Sequence, residues 1–279
     1  MFFEYCTFSI AKDTRRPSEN QDACAVDAAR GLAAIADGVS STLFAGRWAR
    51  LLVEGVIASP PAISDAMEFS AWLDQLRHAW RAEIETIPLA WHQKPKRAQG
   101  AASTLLWIEL SQTDRPSEFN LQSYAVGDCC LFLVQRDQVQ RAFPIETSAD
   151  FNTAPDCLHS VSRVPETSPQ FQTLQVRCRA GDLIVLCTDA IAVWALKEQE
   201  AGRAPEWDLF WPMSAEDWHA KIENLRKHDG IRYDDTTLVL LRVAEPDETE
   251  GTDRAADLIA NLRRTAKRMT AWIRGTPSR

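Results

Sequence analysis

Short apolar runs that end at an aspartate are the feature that most constrains this sequence. Five aspartates stand at the edges of apolar, strand-like runs: Asp22, Asp37, Asp128, Asp189 and Asp234. Aspartate is common in turns, so any one of them alone is compatible with a turn residue. Desolvating an unpaired carboxylate is costly, however, and a single sheet system can bring five strand ends together. The pattern therefore predicts a cluster of carboxylates with a shared purpose.

The same runs predict the secondary structure. Apolar stretches bounded by turn residues predict strands over 31–36, 103–110, 119–126, 129–135, 183–187 and 236–243. Two consecutive runs, 119–126 and 129–135, are expected to form a hairpin around Gly127-Asp128. Helical periodicity predicts helices over 43–58, over 64–92 and from Ser214 onward, with their tryptophans in the core.

The charge distribution divides the chain into a body and a tail. Residues 1–244 are expected to form one domain, and the acidic stretch 245–252 to be a linker. Residues 253–279 hold seven bases and two acids and predict a basic amphipathic helix, whereas the other 252 residues hold 24 bases and 37 acids. Three interpretations of this helix stay open: folding back on the body, docking a partner protein or, as the least favoured, contact with an anionic membrane.

Composition excludes several function classes. With 39 acidic and 31 basic residues the net charge is -8, which argues against nucleic-acid binding. No run approaches the roughly 20 apolar residues of a transmembrane helix, and the first residues lack the basic start of a signal peptide. Seven irregularly spaced cysteines without zinc-site spacing predict free thiols in a reducing cytosol, and thus a cytoplasmic protein.

Carboxylates that are not accompanied by histidine or cysteine favour hard cations. Mg²⁺ and Mn²⁺ prefer oxygen ligands, whereas zinc prefers nitrogen and sulfur. A pair of such ions can activate water and neutralise the charge of a phosphoryl group. From the residues alone, the chain is a candidate divalent-metal hydrolase whose individual ligands are not assigned.

The order of the motifs resembles the metal-dependent, phosphatase 2C-like (PPM-type) protein serine/threonine phosphatases over residues 5–243. The motifs that carry the resemblance are Asn20-Gln21-Asp22, Ala36-Asp37-Gly38, 100–104 (GAAST), Val126-Gly127-Asp128, Thr188-Asp189-Ala190 and 234–237 (DDTT). The resemblance implies an α+β fold, a four-layer αββα sandwich of two antiparallel sheets flanked by helices. It also implies two bound Mn²⁺ or Mg²⁺ ions and a weaker third site.

The resemblance assigns a role to each acid. Asp37 would bridge two metal ions, and the backbone carbonyl of Gly38 would join one of them. Asp189 and Asp234 would complete the first ion, and Asp22 would hold a metal-bound water.

Two further assignments follow from the same resemblance. Asp128 would form the third metal site together with Asp189. Arg16, with Arg15 as the alternate, would grip the phosphate, because a guanidinium can bind it bidentately. The implied reaction is direct attack of water on phosphorus, without a nucleophilic serine or cysteine.

The resemblance implies a phosphorylated protein as substrate, and a serine/threonine kinase as a candidate partner. Two alternatives stay open: a regulatory module of the same fold that binds a kinase or phosphoprotein, and a phosphohydrolase for small molecules. The chain departs from the family at Ala190, where a glycine is common, and at Cys129-Cys130, which we expect to pack in a strand. Alanine at 190 is harmless only if the backbone there is helical or extended.

Overall fold

The computed structural model describes residues 1–244 except 90, 92–93, 116, 153, 163–168 and 229. The predicted linker, 245–252, and the predicted basic helix, 253–279, lie outside the described residues. Two five-stranded antiparallel sheets, five α-helices, three short 3₁₀ helices and a two-stranded sheet make up the described part.

The first sheet joins strands from the beginning, the middle and the end of the described part of the chain. Its strands, in spatial order, are β1 (Phe3–Ile10), β12 (Thr236–Val243), β11 (Leu183–Cys187), β7 (Cys130–Gln135) and β8 (Gln138–Phe143). Along β11, Ile184 and Leu186 face one apolar layer while Val185 and Cys187 face another. Because both faces are covered, this strand is apolar at every position instead of alternating.

The second sheet carries the first two acidic motifs. Its strands, in spatial order, are β10 (Gln172–Arg179), β6 (Glu118–Val126), β5 (Leu105–Gln112), β3 (Leu32–Asp37) and β2 (Asp22–Asp27). The two-stranded sheet pairs β4 (Ala102–Ser103) with β9 (Leu158–His159). Side chains from the two large sheets meet in one core, which includes Ile35 and Leu106 on one side and Leu186 and Val239 on the other.

Helices cover the outer face of each sheet. α1 (Ala45–Ala58) and α2 (Ala66–Glu85) pack on the second sheet, and α4 (Asp189–Glu200) and α5 (Ala215–His228) pack on the first. The short α3 (Lys94–Gln99) follows α2. The order helix, sheet, sheet, helix confirms the predicted αββα sandwich. Trp48, Trp72 and Trp80 are buried, as the helical spacing predicted.

Two details of the predicted secondary structure are wrong. The runs 119–126 and 129–135 do not form a hairpin, because β6 and β7 belong to different sheets and Gly127-Asp128 carries the chain from one to the other. α2 ends at Glu85 and not near 92, since Pro88 disfavours helical backbone just before it. The strand predicted over 183–187 is confirmed, and the chain continues from it directly into α4, with Thr188 as the N-cap residue.

Two further expectations can be compared with the structure. All seven cysteines are free, as their spacing predicted. None of the helices in the described part is long and apolar enough to cross a membrane.

Candidate metal centre

Asp22 and Asp37 are cross-strand partners at one end of the β2–β3 pair. Directly opposed residues of antiparallel strands project to the same face, so the two carboxylates are neighbours. The backbone at Asp37 is fixed on both sides: its N–H donates to Thr104 Oγ1 at 3.0 Å, and its carbonyl accepts from Ser103 Oγ at 2.8 Å. The sheet itself therefore holds two like charges together.

The Asp22 carboxylate is only half satisfied. Its Oδ2 accepts a hydrogen bond from Thr188 Oγ1 at 3.0 Å, whereas its Oδ1 is buried and has no hydrogen-bond partner. Burial raises the pKa of Asp22 to about 8; a hydrogen bond from Thr237 opposes the shift and the charge of Asp235 adds to it. An unpaired, buried acceptor of this kind indicates room for a cation or a donor.

The pKa of Asp37 is affected by the charges of all four other predicted acids. Burial raises the pKa of Asp37 well above its ordinary value, and the charges of Asp22, Asp189, Asp128 and Asp234 raise it further, in that order. Electrostatic coupling of this kind requires the carboxylates to lie near one another in a poorly solvated place. The structure thus brings the five sequence-predicted acids into one cluster around Asp37.

Asp189 already has a cationic neighbour. It begins α4 and is 5% exposed; its Oδ2 accepts a hydrogen bond from Arg232, while its Oδ1 is buried without a partner. Burial raises the pKa of Asp189, and the nearby Arg232 guanidinium limits that rise. Arg232 is therefore the counter-ion of Asp189 when no other cation is present.

Asp128 follows a turn that only glycine can make. Gly127 has φ +98°, and a Cβ there would lie 2.5 Å from Thr104 Cγ2. Asp128 is 7% exposed, and burial together with the charge of Asp189 raises its pKa to about 7. The tight turn places this carboxylate between the two sheets.

The fourth motif holds two aspartates with different surroundings. Asp234 Oδ1 lies 3.6 Å from Lys12 Nζ. Asp235 is buried, and its carboxylate accepts hydrogen bonds from the backbone N–H of Lys12 at 2.7 Å and of Gln21 at 2.9 Å. Asp235 therefore ties the end of β1 to the segment before Asp22, which leaves Asp234 to face the cluster.

Gly38 and Arg16 complete the set of predicted residues. The Gly38 N–H donates to the Gln21 carbonyl at 3.2 Å, and a Cβ at Gly38 would lie 2.8 Å from the backbone of Ala45. Arg16 is exposed and pairs with Glu19 at 3.2 Å. It lines a cavity of about 310 Å³ that Lys12 and Asp235 also line. The structure does not pair Arg16 with any of the five clustered acids, and its role stays a prediction.

The cluster offers oxygen donors, but they are not drawn together around one point. In the described part of the chain, no group of three or more histidine, cysteine or acidic side chains is already arranged to hold a metal ion. The bond between Arg232 and Asp189 accounts for part of this, since it takes one carboxylate oxygen. The donor chemistry fits Mg²⁺ or Mn²⁺, and the free oxygens of Asp22 and Asp189 are places where such an ion would be satisfied.

The sequence profile of the protein phosphatase 2C family matches residues 12–245. The chain belongs to the protein phosphatase 2C family. A search of curated proteins gives no match.

Solved structures of this family share the fold. The serine/threonine phosphatase PstP/Ppp of Mycobacterium tuberculosis is 19% identical and has a TM-score of 0.54 over 88% of this chain and all of that chain. PppA, described as a key regulatory component of the type VI secretion system in Pseudomonas aeruginosa, is 15% identical, with a TM-score of 0.55 over 87% and 98%. The PstP catalytic domain in complex with two manganese ions is 20% identical, with a TM-score of 0.53 over 88% and 99%.

Two departures from the phosphatase 2C pattern have a structural explanation. Ala190 lies within α4, so no positive φ is required and alanine is harmless there. Cys129 and Cys130 are buried, and burial raises the pKa of both thiols, so neither is a thiolate at neutral pH. The prediction that they pack in a strand is confirmed for Cys130, which begins β7, whereas Cys129 is buried just before that strand.

Four residues at this centre were not assigned a role from the sequence alone. They are Lys12, Thr188, Arg232 and Asp235. Lys12 and Arg232 lie next to acids only because the ends of β1, β12 and α4 meet in the fold. No local spacing in the sequence predicts these contacts. The pair Asp234-Asp235 was visible in the sequence, and the backbone partners of the second aspartate distinguish the two.

Proposed function

We propose that this chain is a Mn²⁺- or Mg²⁺-dependent protein serine/threonine phosphatase. The single observation that carries the proposal is the cluster of four carboxylates around that of Asp37, with buried, unsatisfied oxygens on Asp22 and Asp189. A cluster with this much uncompensated negative charge is unfavourable in the folded chain unless cations join it.

The residues that would hold two ions follow from the cluster and the family resemblance. Asp37 would serve both ions, the Gly38 carbonyl would join one of them, Asp189 and Asp234 would complete the first, and Asp128 with Asp189 would offer the weaker third site. Bound there, the ions supply an activated water and neutralise charge on the phosphoryl group. A metal ion could bind the free Oδ1 of Asp189, whereas binding through Oδ2 would require Asp189 to release Arg232.

The protein's own groups orient the reaction. Thr188 donates to Asp22 Oδ2 and so fixes the carboxylate that would align the attacking water opposite the leaving group. By the family resemblance, Asp22 would hold the metal-bound water. Lys12 and Arg16 line the adjacent cavity and would bind phosphate oxygens.

The substrate class follows from the relatives. PstP/Ppp is described as a serine/threonine phosphatase, which supports phosphoserine and phosphothreonine proteins as substrates here. A serine/threonine kinase that makes such substrates is the corresponding candidate partner, and the cytoplasm is the proposed location.

Phosphate release tests the proposal directly. With Mn²⁺ present, wild-type protein should release phosphate from a phosphothreonine peptide and from an aryl phosphate. Asp37→Asn and Asp189→Asn should lower kcat by at least about 100-fold, since each removes a negative ligand. The exposed Asp208→Asn serves as the control and should retain full activity. Wild-type protein that releases no phosphate from either substrate would refute the proposal.

One observation favours a second candidate, a non-catalytic module that binds a kinase or phosphoprotein. Arg232 already neutralises Asp189, so the cluster can persist partly compensated without metal. Calorimetry separates the two candidates: a chain that takes up no Mn²⁺ yet binds a phosphopeptide is a module and not an enzyme.

A further inference from the structure

Lys12 and Asp234 lie just beyond the last paired residues of β1 and β12. The register of this antiparallel pair ends where Ile10 stands opposite Thr236. Lys12 follows the first of these residues along the chain, and Asp234 precedes the second. The strand ladder therefore does not reach either residue, and other groups have to satisfy the backbone there.

A buried arginine of α5 binds both segments at this point. The Arg226 side chain is 4% exposed. Its Nη2 donates to the Asp234 carbonyl at 2.6 Å and to Thr236 Oγ1 at 3.2 Å. Its Nη1 donates to the Ala11 carbonyl at 3.4 Å, directly before Lys12. A guanidinium suits this place because it holds five N–H donors in one rigid plane.

Asp235 supplies the acceptors that Arg226 cannot supply. The Asp235 carboxylate accepts hydrogen bonds from the backbone N–H groups of Lys12 and Gln21. Arg226 thus satisfies carbonyl oxygens at the junction, while Asp235 satisfies N–H groups. Together the two side chains continue the connection between the segments where the strand ladder ends.

The surroundings of Arg226 offset only part of the cost of burying its charge. Glu223 Oε1 pairs with Nη1 at 2.9 Å, and the ring of Tyr233 lies 5.4 Å from the guanidinium carbon. The Nε atom is buried and has no hydrogen-bond partner. A buried ion pair is weak evidence for stability, and an unpaired buried donor adds a cost. The contacts therefore favour a role in fixing the backbone that Arg226 binds.

We propose that Arg226 is a positioning residue of the metal centre, which holds the Asp234 backbone so that the Asp234 carboxylate faces the cluster. The inference rests on the proposed phosphatase function, in which Asp234 completes the first ion. Arg226 acts through Asp234 and not on the phosphoryl group. Groups that orient a metal ligand in this way typically contribute about tenfold or more to metal affinity.

The Mn²⁺ affinity of the full chain tests the inference without relying on turnover. In calorimetric titrations, Arg226→Met should weaken Mn²⁺ binding at one site about tenfold. Arg226→Lys should give an intermediate affinity, because an ammonium keeps the charge but lacks the planar fork that binds both segments.

Hydrolysis of an aryl phosphate gives a second readout. In both Arg226 variants, the Mn²⁺ concentration for half-maximal activity should rise by the same factor as the dissociation constant. The kcat at saturating Mn²⁺ should stay within about threefold of the wild-type value, because excess metal restores occupancy by mass action. A loss of general stability would not produce this dependence on metal concentration.

Arg30→Met is the matched control. The Arg30 guanidinium also donates to a backbone carbonyl at 2.6 Å, that of Ile57, and it pairs with Asp27 at the end of β2 away from the cluster. This variant should keep the Mn²⁺ affinity within about twofold of wild type. Thermal unfolding shows which variants are folded, and Arg226→Lys decides if Arg226→Met is not.

Two results would overturn the inference while the wild-type chain binds Mn²⁺. The first is an unchanged Mn²⁺ affinity in a folded Arg226 variant. The second is an equal loss of affinity in Arg30→Met, which would assign the effect to general stability. A wild-type chain that binds no Mn²⁺ would refute the proposed function itself, and the inference with it.

Discussion

Asp22 and Asp37 face each other across β2 and β3 as directly opposed residues of an antiparallel pair. Like charges at directly opposed positions destabilise an antiparallel pair. Natural chains keep such an arrangement where it has a use, and here it forms the centre of the carboxylate cluster. The stability of the metal-free protein is therefore lower than its core alone would give.

Removing one of these two charges should stabilise the metal-free protein. We expect Asp37→Asn to raise the free energy of unfolding by about 1 kcal/mol, because the repulsion from its neighbours is lost. Asp27→Asn, at the other end of β2, is the control and should give no gain, since Asp27 pairs with Arg30. Denaturant unfolding in a chelator measures both, and a destabilised Asp37→Asn would contradict the prediction.

Stability of the metal-free protein should fall as the pH rises. The folded-state pKa of Asp22 is raised to about 8 and that of Asp128 to about 7, so the folded chain binds more protons than the unfolded chain above about pH 4. The stabilisation is fully present below that pH and is lost as the pH approaches 8. We expect the melting temperature to drop by at least about 5 °C between pH 5.5 and pH 8.

Manganese should abolish most of this dependence, because bound cations hold the carboxylates in their charged form. Melting curves at both pH values, with chelator and with Mn²⁺, provide the comparison. Identical pH profiles in the two conditions would show that no metal joins the cluster.

Arg232 should oppose metal binding. Arg232→Gln removes the counter-ion of Asp189, so the metal-free protein should lose about 1 kcal/mol, a modest loss because the arginine is 44% exposed. The same variant should bind Mn²⁺ several-fold more tightly, since the guanidinium no longer occupies Asp189 Oδ2 or repels the incoming cation. Calorimetric titration measures this affinity.

Arg203→Gln is the matched control. It breaks the exposed ion pair between Arg203 and Glu198, neither of which belongs to the carboxylate cluster. It should leave the Mn²⁺ affinity unchanged. Weaker Mn²⁺ binding by Arg232→Gln would show that this arginine supports the metal site and does not compete with it.

The Gly127 turn should tolerate no side chain. Gly127→Ala combines φ +98° with a Cβ 2.5 Å from Thr104 Cγ2, and we expect it to destabilise the fold by more than about 2 kcal/mol. Gly181→Ala is the control: φ there is +88°, but nothing lies within 4 Å, so only the backbone cost of about 1 kcal/mol should remain. Equal losses in the two variants would contradict the steric explanation.

The central strands of the sheets could be predicted from the sequence, whereas the edge strands β8 and β10 could not. β11 and β12 were predicted to the residue because both faces are covered and each contains a continuous apolar run bounded by turn residues. β8 and β10 are partly exposed and mix polar with apolar residues, so no apolar run in the sequence predicts these two strands. The hairpin at Gly127 was wrong because sequence adjacency does not show which sheet a strand joins.

The acids of the site could be predicted, but their partners could not. Each aspartate stands beside a strand run, which is a local signal. Arg232 binds Asp189 across 43 residues, and Thr188 binds Asp22 across 166. Those contacts depend on how β2, β12 and α4 meet, which local patterns do not encode.

Titration of Mn²⁺ into the metal-free full chain tests the metal centre most directly. We expect calorimetry to show at least two ions per chain, with a higher melting temperature in their presence. Asp37→Asn should lose this binding, and Asp208→Asn should keep it. A folded wild-type chain that takes up no Mn²⁺ and gains no thermal stability from it would contradict the assignment of the five carboxylates to metal.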